Sequence, residues 1–262
     1  YVVYTGASVN ALTPKIASGN LCGEAIKGLN TTVQAGVIYR IKVDGYAWEV
    51  GYVVLNWSFA PANDMFASAE TISGGAGSAA GSTVGATIET GEPATGVGAQ
   101  HSIWYSFTAP TNGSLSLDTC DSADLDTLML VYTGSAVNAL TTFVGNDNSC
   151  GLKSSLLTQV TSGVKYSIKI DAFWGVVGAT TLTWSFTPGN DNFESSNAIS
   201  GVTGVSFGSN IGATEQRGEP VISYGSGASV WYSYVPQLSG ELTLETCGSG
   251  FDTLLGIYTS TA

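Results

Sequence analysis

Apolar and polar positions alternate with a period of two along most of this chain. Tyr39, Ile41 and Val43 share one face of a stretch whose other face carries Arg40, Lys42 and Asp44. That is the pattern of a strand buried on one side. Val53, Leu55, Trp57 and Phe59 alternate with Val54, Asn56 and Ser58 in the same way. Ile103, Tyr105 and Phe107 share a face that ends at Ala109-Pro110, where Thr111-Asn112-Gly113 is a turn signal. Leu115 and Leu117 point inward on the next strand, between Ser114, Ser116 and Asp118. The run from Asp126 to Tyr132 is almost continuously apolar, as a central buried strand should be. Tyr166, Ile168 and Ile170 repeat the first pattern, and Leu182, Trp184 and Phe186 repeat the second. Residues 72–82 are Gly, Ser and Ala with little pattern, and read as a loop or sheet edge. No stretch keeps a helical period. Many short strands separated by Gly-, Asn- and Ser-rich turns predict an all-β chain of sandwich type.

The pattern also recurs over a longer distance. Trp57-Ser58-Phe59 returns as Trp184-Ser185-Phe186, 127 residues on, and Trp104-Tyr105-Ser106 returns as Trp231-Tyr232-Ser233 at the same spacing. Gly91-Glu92-Pro93 returns as Gly218-Glu219-Pro220. One strand occurs three times: Val2-Val3-Tyr4-Thr5-Gly6, Leu130-Val131-Tyr132-Thr133-Gly134 and Gly256-Ile257-Tyr258-Thr259-Ser260. A period near 127 residues is a whole domain, not a solenoid unit. It suits eight or nine strands in tandem jelly-roll β-sandwich domains. Asn63-Asp64-Met65-Phe66 and Asn190-Asp191-Asn192-Phe193 open successive units. Residues 63–188 are then one complete repeat, 1–62 the C-terminal part of another, and 189–262 the N-terminal part of a third.

Composition narrows the function classes. The formal net charge is −12, yet only 11% of residues are charged; 8 Lys and Arg stand against 20 Asp and Glu. Nucleic acid and anionic membrane surfaces both require a basic footprint, which is absent. No apolar run reaches transmembrane length, so no membrane insertion is expected. At 44% hydrophobic and 10% aromatic, the chain can fill a core despite its 34 Gly. It begins at Tyr, without a signal sequence, and reads as a processed product or a fragment.

The pattern Ser102-Ile103-Trp104-Tyr105-Ser106, then Leu117-Asp118-Thr119-Cys120, then Asp126-Thr127-Leu128 with Tyr132-Thr133-Gly134, resembles a bacterial secreted repeat. It looks like the jelly-roll modules akin to pre-peptidase C-terminal domains, found in tandem in large surface proteins. The resemblance spans essentially the whole chain. It implies an accessory, adhesive or structural module outside the cell or on its surface, not an enzyme, and extends to the subunit of an extracellular glycosylated fibril.

Four cysteines recur at matched positions: Cys120 and Cys247 at the end of a strand, Cys22 and Cys150 in a following loop. In an acidic, Lys-poor chain this suggests oxidising surroundings, with Cys120 bonded to Cys150. The alternative is free buried thiols. Metal binding would need clustered Cys and His, which are missing.

Other chemistry has weak footing. His101 has Ala228 as its counterpart and no nucleophile and acid to work with, so it reads as a surface loop residue. Asp118, Asp121, Asp124 and Asp126 could be imagined as a glycosidase pair, but their counterparts are Glu245, Gly248, Gly250 and Asp252. With Asp147 they could instead offer oxygens to calcium. No Asp-x-Asp-x-Asp-Gly loop supports that, and the bland reading is turn capping, so no cofactor or metal is assigned. The tryptophans Trp48, Trp57, Trp104, Trp174, Trp184 and Trp231 could stack on sugars. Trp57 and Trp184 share a face with Leu and Phe and read as core. Trp104 and Trp231 lie on the opposite face, either exposed or packed between domains. Sequons at Asn30, Asn56 and Asn112 predict covalent glycans and an intact mass above 26.9 kDa.

The two partial repeats predict assembly. Residues 1–62 lack the strands that precede the Tyr-Thr-Gly strand, and 189–262 lack those that follow it. Open edges and uncovered apolar faces invite another chain. Joining the C-terminal part of one copy to the N-terminal part of the next would complete a domain at each junction. The strands at Val2, Val3, Tyr4 and at Gly256, Ile257, Tyr258 would both be available there, and Cys22 would meet Cys247 of the neighbour. Such a contact is head-to-tail and propagates as a filament. The alternatives are that the two parts meet within one chain, that the span is a piece of a longer array, or that the chain is a carbohydrate-binding or adhesive module.

Overall fold

A computed structural model describes residues 2–17, 31–34, 36–95, 98, 101–123, 125–222 and 227–259. The chain divides into two compact units, Tyr1–Ser58 and Phe59–Ala262. Among the described residues every helical element is a single 3-10 turn; the rest of the regular structure is strand.

The first unit holds one three-stranded antiparallel sheet. Its strands are β1 (Val2–Thr5), β2 (Thr13–Ala17) and β3 (Tyr39–Lys42), with β1 in the middle. Val3 stands opposite Ile16 on one side and Ile41 on the other. Val, Ile and Tyr suit this pleated surface.

Residues 53–59 depart from the sequence expectation. They form no paired strand, and Trp57, expected in a core, is 83% exposed. The cause is a lack of partners. The counterpart strand one period on is flanked on both sides by strands that precede it in its own repeat, and residues 1–62 contain no counterpart of either.

The second unit contains a sandwich of two sheets. Its strands are β4 (Glu70–Ile72), β5 (Ala76–Ser82), β6 (Ile103–Thr108), β7 (Gly113–Asp118), β8 (Thr127–Thr133), β9 (Thr141–Asp147), β10 (Ser155–Val160), β11 (Lys165–Ala172) and β12 (Ala179–Pro188). One sheet runs β10-β7-β12-β5 and the other β4-β6-β11-β8-β9. All neighbours are antiparallel except β4 and β6. Both sheets feed one core, with Tyr105, Phe107 and Ile168 from one and Leu115, Leu182 and Phe186 from the other all but fully buried. Each such aliphatic or Phe side chain contributes about 1.5–3 kcal/mol by leaving water. The order β9-β8-β11 in this sheet is the order β2-β1-β3 in the first unit.

Residues 72–82, expected to be a loop or edge, include strand β5 at the edge of its sheet. The missing pattern has a packing cause. A Cβ on Gly77 would lie 2.4 Å from the Trp184 ring, and one on Gly81 would lie 2.4 Å from the Tyr105 hydroxyl. The strand is stripped of side chains so that its neighbours' large ones fit over it.

After residue 188, two short parallel strands form among the described residues, β13 (Asn197–Ile199) and β14 (Tyr232–Tyr234), paired as β4 is with β6. The segment at Gly256, Ile257 and Tyr258, expected as a strand, is unpaired, with Ile257 exposed. Its counterpart β8 lies between β9 and β11, which come later in the repeat. The counterparts of those two strands are β2 and β3, which hold β1 between them.

Candidate functional site

The outer face of the five-stranded sheet carries a buried ionic cluster. Lys169 on β11 is 2% exposed, Glu92 1% and Asp171 0% at the side chain. The Lys169 ammonium lies 2.6 Å from Glu92 Oε1 and 3.6 Å from Asp171 Oδ2, and it donates to the Pro93 carbonyl at 3.0 Å. It also sits 5.9 Å from the centre of the Trp104 ring. The same Glu92 oxygen accepts from the Ser102 hydroxyl at 2.5 Å. Asp171 accepts from the Thr95 hydroxyl and from the backbone N–H of His101. Trp104, read from alternation as exposed or interdomain, is fully buried, edge-on to Phe66 at 5.3 Å and beside Tyr132 at 5.9 Å. Burial, with the charges of Glu92 and Asp171, pushes the Tyr132 hydroxyl up to about 12. One cation faces two carboxylates out of water. Such a group holds together only while every member is present.

Residues 190–258 rebuild the front of this arrangement, 126 or 127 positions on. Asn190 donates to the Trp231 carbonyl at 3.0 Å, as Asn63 does to that of Trp104 at 3.1 Å. Asp191 is held by the Thr214 amide and hydroxyl, as Asp64 is by those of Thr87. Phe193 stands edge-on to Trp231 at 5.2 Å, and Trp231 lies 6.0 Å from Tyr258. Ser229 donates to Glu219 at 2.5 Å. Burial pushes the Glu219 carboxyl up, but the Ser229 hydroxyl, the Gln216 amide and the Trp231 indole outweigh it and hold the group below its ordinary value. The counterparts of Lys169 and Asp171 are Lys42 and Asp44 in the first unit. They pair at 2.8 Å in water, 61% and 72% exposed.

The other residues marked from sequence are scattered. Cys120 and Cys150 form a disulfide with Cα atoms 5.8 Å apart, spanning 30 residues. Behind it the Thr119 and Thr127 hydroxyls meet at 2.6 Å, and both accept from the Ser154 amide. Cys247 is an exposed free thiol, beside a Thr246–Thr253 pair of the same 2.6 Å. Cys22, Asn30 and Asp124 lie outside the described residues. Asn56 is exposed in the unpaired segment, and Asn112 is exposed in the β6–β7 turn, accepting from Ser162 N–H. His101, expected at the surface, is half-buried, with Nδ1 2.7 Å from the Ala86 carbonyl.

Asp118 accepts from the Cys120 amide in its own turn. Asp126 is pushed up by burial and by the charge of Asp147. Among the described residues no three His, Cys, Asp or Glu side chains gather as a metal site. Trp48 and Trp174 are 97% and 67% exposed, each at positive φ in the loop after β3 or β11. Alternation gave no sign of the ionic cluster; the signal that could have found it is the recurrence of Lys-x-Asp alongside Gly-Glu-Pro one period apart.

No family model matches the chain, and no curated protein sequence matches it significantly. Among solved structures, the pre-peptidase C-terminal domain of collagenase from Bacillus anthracis is similar to part of it, at 14% identity and a TM-score of 0.31, covering 45% of this chain and 93% of that one.

Proposed function

We propose that this chain is the structural subunit of an extracellular, glycosylated filament, assembled head-to-tail by completion of split β-sandwich domains between copies. One observation carries the reading. Residues 1–62 and 189–259 each leave apolar strand segments unpaired, and each holds what the other lacks. Leu55, Trp57 and Phe59 need counterparts of β5 and β7, which by the period are residues near 203–209 and 240–245. Leu254, Ile257 and Tyr258 need counterparts of β9 and β11, which are β2 and β3. The slot between β2 and β3 already holds β1, so joining exchanges one copy of that strand for the other. The Cys120–Cys150 disulfide supports an oxidising location. Cys247 of one copy and Cys22 of the next would form the equivalent bond across the junction. A glycan on Asn112 would project from the β6–β7 turn, and one on Asn56 from the face of its segment opposite Leu55 and Trp57; Asn30 is the third acceptor in the sequence.

A second reading, a carbohydrate-binding or adhesive module, draws on Trp48 and Trp174. Two exposed tryptophans in matched loops, held in a backbone conformation that non-Gly residues rarely adopt, suit stacking on a sugar ring.

Negative-stain microscopy across a dilution series separates the two. The filament reading expects polymers that grow with concentration, and a ladder on non-reducing electrophoresis that collapses with reductant. A monomer at every concentration that binds a glycan array would overturn it in favour of the second reading.

A further inference from the structure

We propose that the buried Lys–Glu–Asp cluster is divided across the junction between copies, Lys42 and Asp44 coming from one chain and Glu219 from the next, so that it selects the partner and its register. The inference rests on the filament reading and adds the groups that recognise the partner.

Three observations support the division. The 127-residue spacing carries Lys169 to Lys42, Asp171 to Asp44, Glu92 to Glu219, Ser102 to Ser229 and Trp104 to Trp231. The receiving half is already built: Glu219 is fixed by Ser229, Gln216 and Trp231, and Trp231 by Phe193 and Asn190. Its carboxylate also has an open position. On Glu92 one oxygen takes both the Ser102 hydroxyl and the Lys169 ammonium. On Glu219 the corresponding oxygen takes the Ser229 hydroxyl, and no cation reaches it among the described residues. The donating half carries the complementary charge on a paired, solvent-exposed Lys42.

The partner is therefore a second copy of this chain. A strand slipped by one residue would turn Lys42 to the opposite face of its sheet and leave Glu219 buried without a cation. A mispaired junction thus carries an uncompensated buried charge, which is how charge sets register more effectively than it adds affinity.

Charge exchange tests this on the full chain. Lys42→Glu and Glu219→Lys are made separately, and melting of the central repeat, whose own Lys169 cluster is untouched, shows that each variant folds. Each alone is expected to raise the concentration needed for polymerisation by about a hundredfold or more. Mixed one to one they are expected to polymerise again, because wild-type and reversed pairs then alternate along the filament. Polymerisation of either variant alone at the wild-type concentration, or failure of the mixture, would overturn the divided cluster while leaving the filament standing. Absence of polymers from the wild-type chain would overturn both.

Discussion

Lys169 shows what a residue's surroundings demand. Its ammonium is surrounded by Glu92, Asp171, the Pro93 carbonyl and the face of Trp104, with almost no water. Removing the cation leaves two carboxylates buried and unpaired, which costs about 3–5 kcal/mol. Lys169→Met keeps most of the stem's packing, so the loss isolates the charge. Chemical denaturation of the variant should show a drop of that size. A variant within about 1 kcal/mol of wild type would mean that water or rearrangement relieves the carboxylates. The alternation of Ile103, Tyr105 and Phe107 correctly marked the core face of β6, with all three buried. It could not show what covers the other face. Trp104 is buried with Phe66, from a connecting segment outside the sheet, edge-on at 5.3 Å, and with the Lys169 ammonium 5.9 Å from its ring. A period of two reports which side a residue is on, not whether that side is wet.

At the scale of elements, the Cys120–Cys150 bond ties the end of β7 to the β9–β10 loop, closing 30 residues. On the chain-entropy account it stabilises the folded state by about 3–4 kcal/mol. The double variant Cys120→Ser/Cys150→Ser, unfolded in urea, should lose about that amount. A loss below about 1 kcal/mol would show that the Thr119, Thr127 and Ser154 hydrogen bonds hold the loop unaided. The strands themselves were legible to different degrees. β6, β7, β8, β11 and β12 followed their apolar faces. β5 is an edge strand, one of the two readings its residues allowed, and it shows little pattern because Gly77 and Gly81 contribute space instead of side chains. The segments at 53–59 and 256–258 have strand-like sequences but stay unpaired. Alternation encodes a strand's faces; hydrogen-bonded neighbours must come from elsewhere, and these segments have none within their own halves.

At the scale of the whole molecule, the strands β4–β12 pair into two sheets over one core, and the segments that match them one period away in sequence pair only in part. The front part keeps its side-chain network around Trp231 with only the two-stranded β13–β14 sheet among the described residues. The back part keeps its sheet and leaves Trp57 in water. The 127-residue recurrence made the matched segments legible from sequence; the ionic cluster required coordinates, because Glu92 lies far along the chain from Lys169 and Asp171 and alternation does not bring them together. The central claim is that completion occurs between copies. Unlabelled and nitrogen-15-labelled chains, mixed under reducing conditions, reoxidised and digested, test it most directly by mass spectrometry. The account predicts Cys22–Cys247 peptides carrying one light and one heavy half, in the proportion expected for random pairing. Cys22–Cys247 peptides found only as light–light and heavy–heavy pairs would place the bond within a single chain and contradict it.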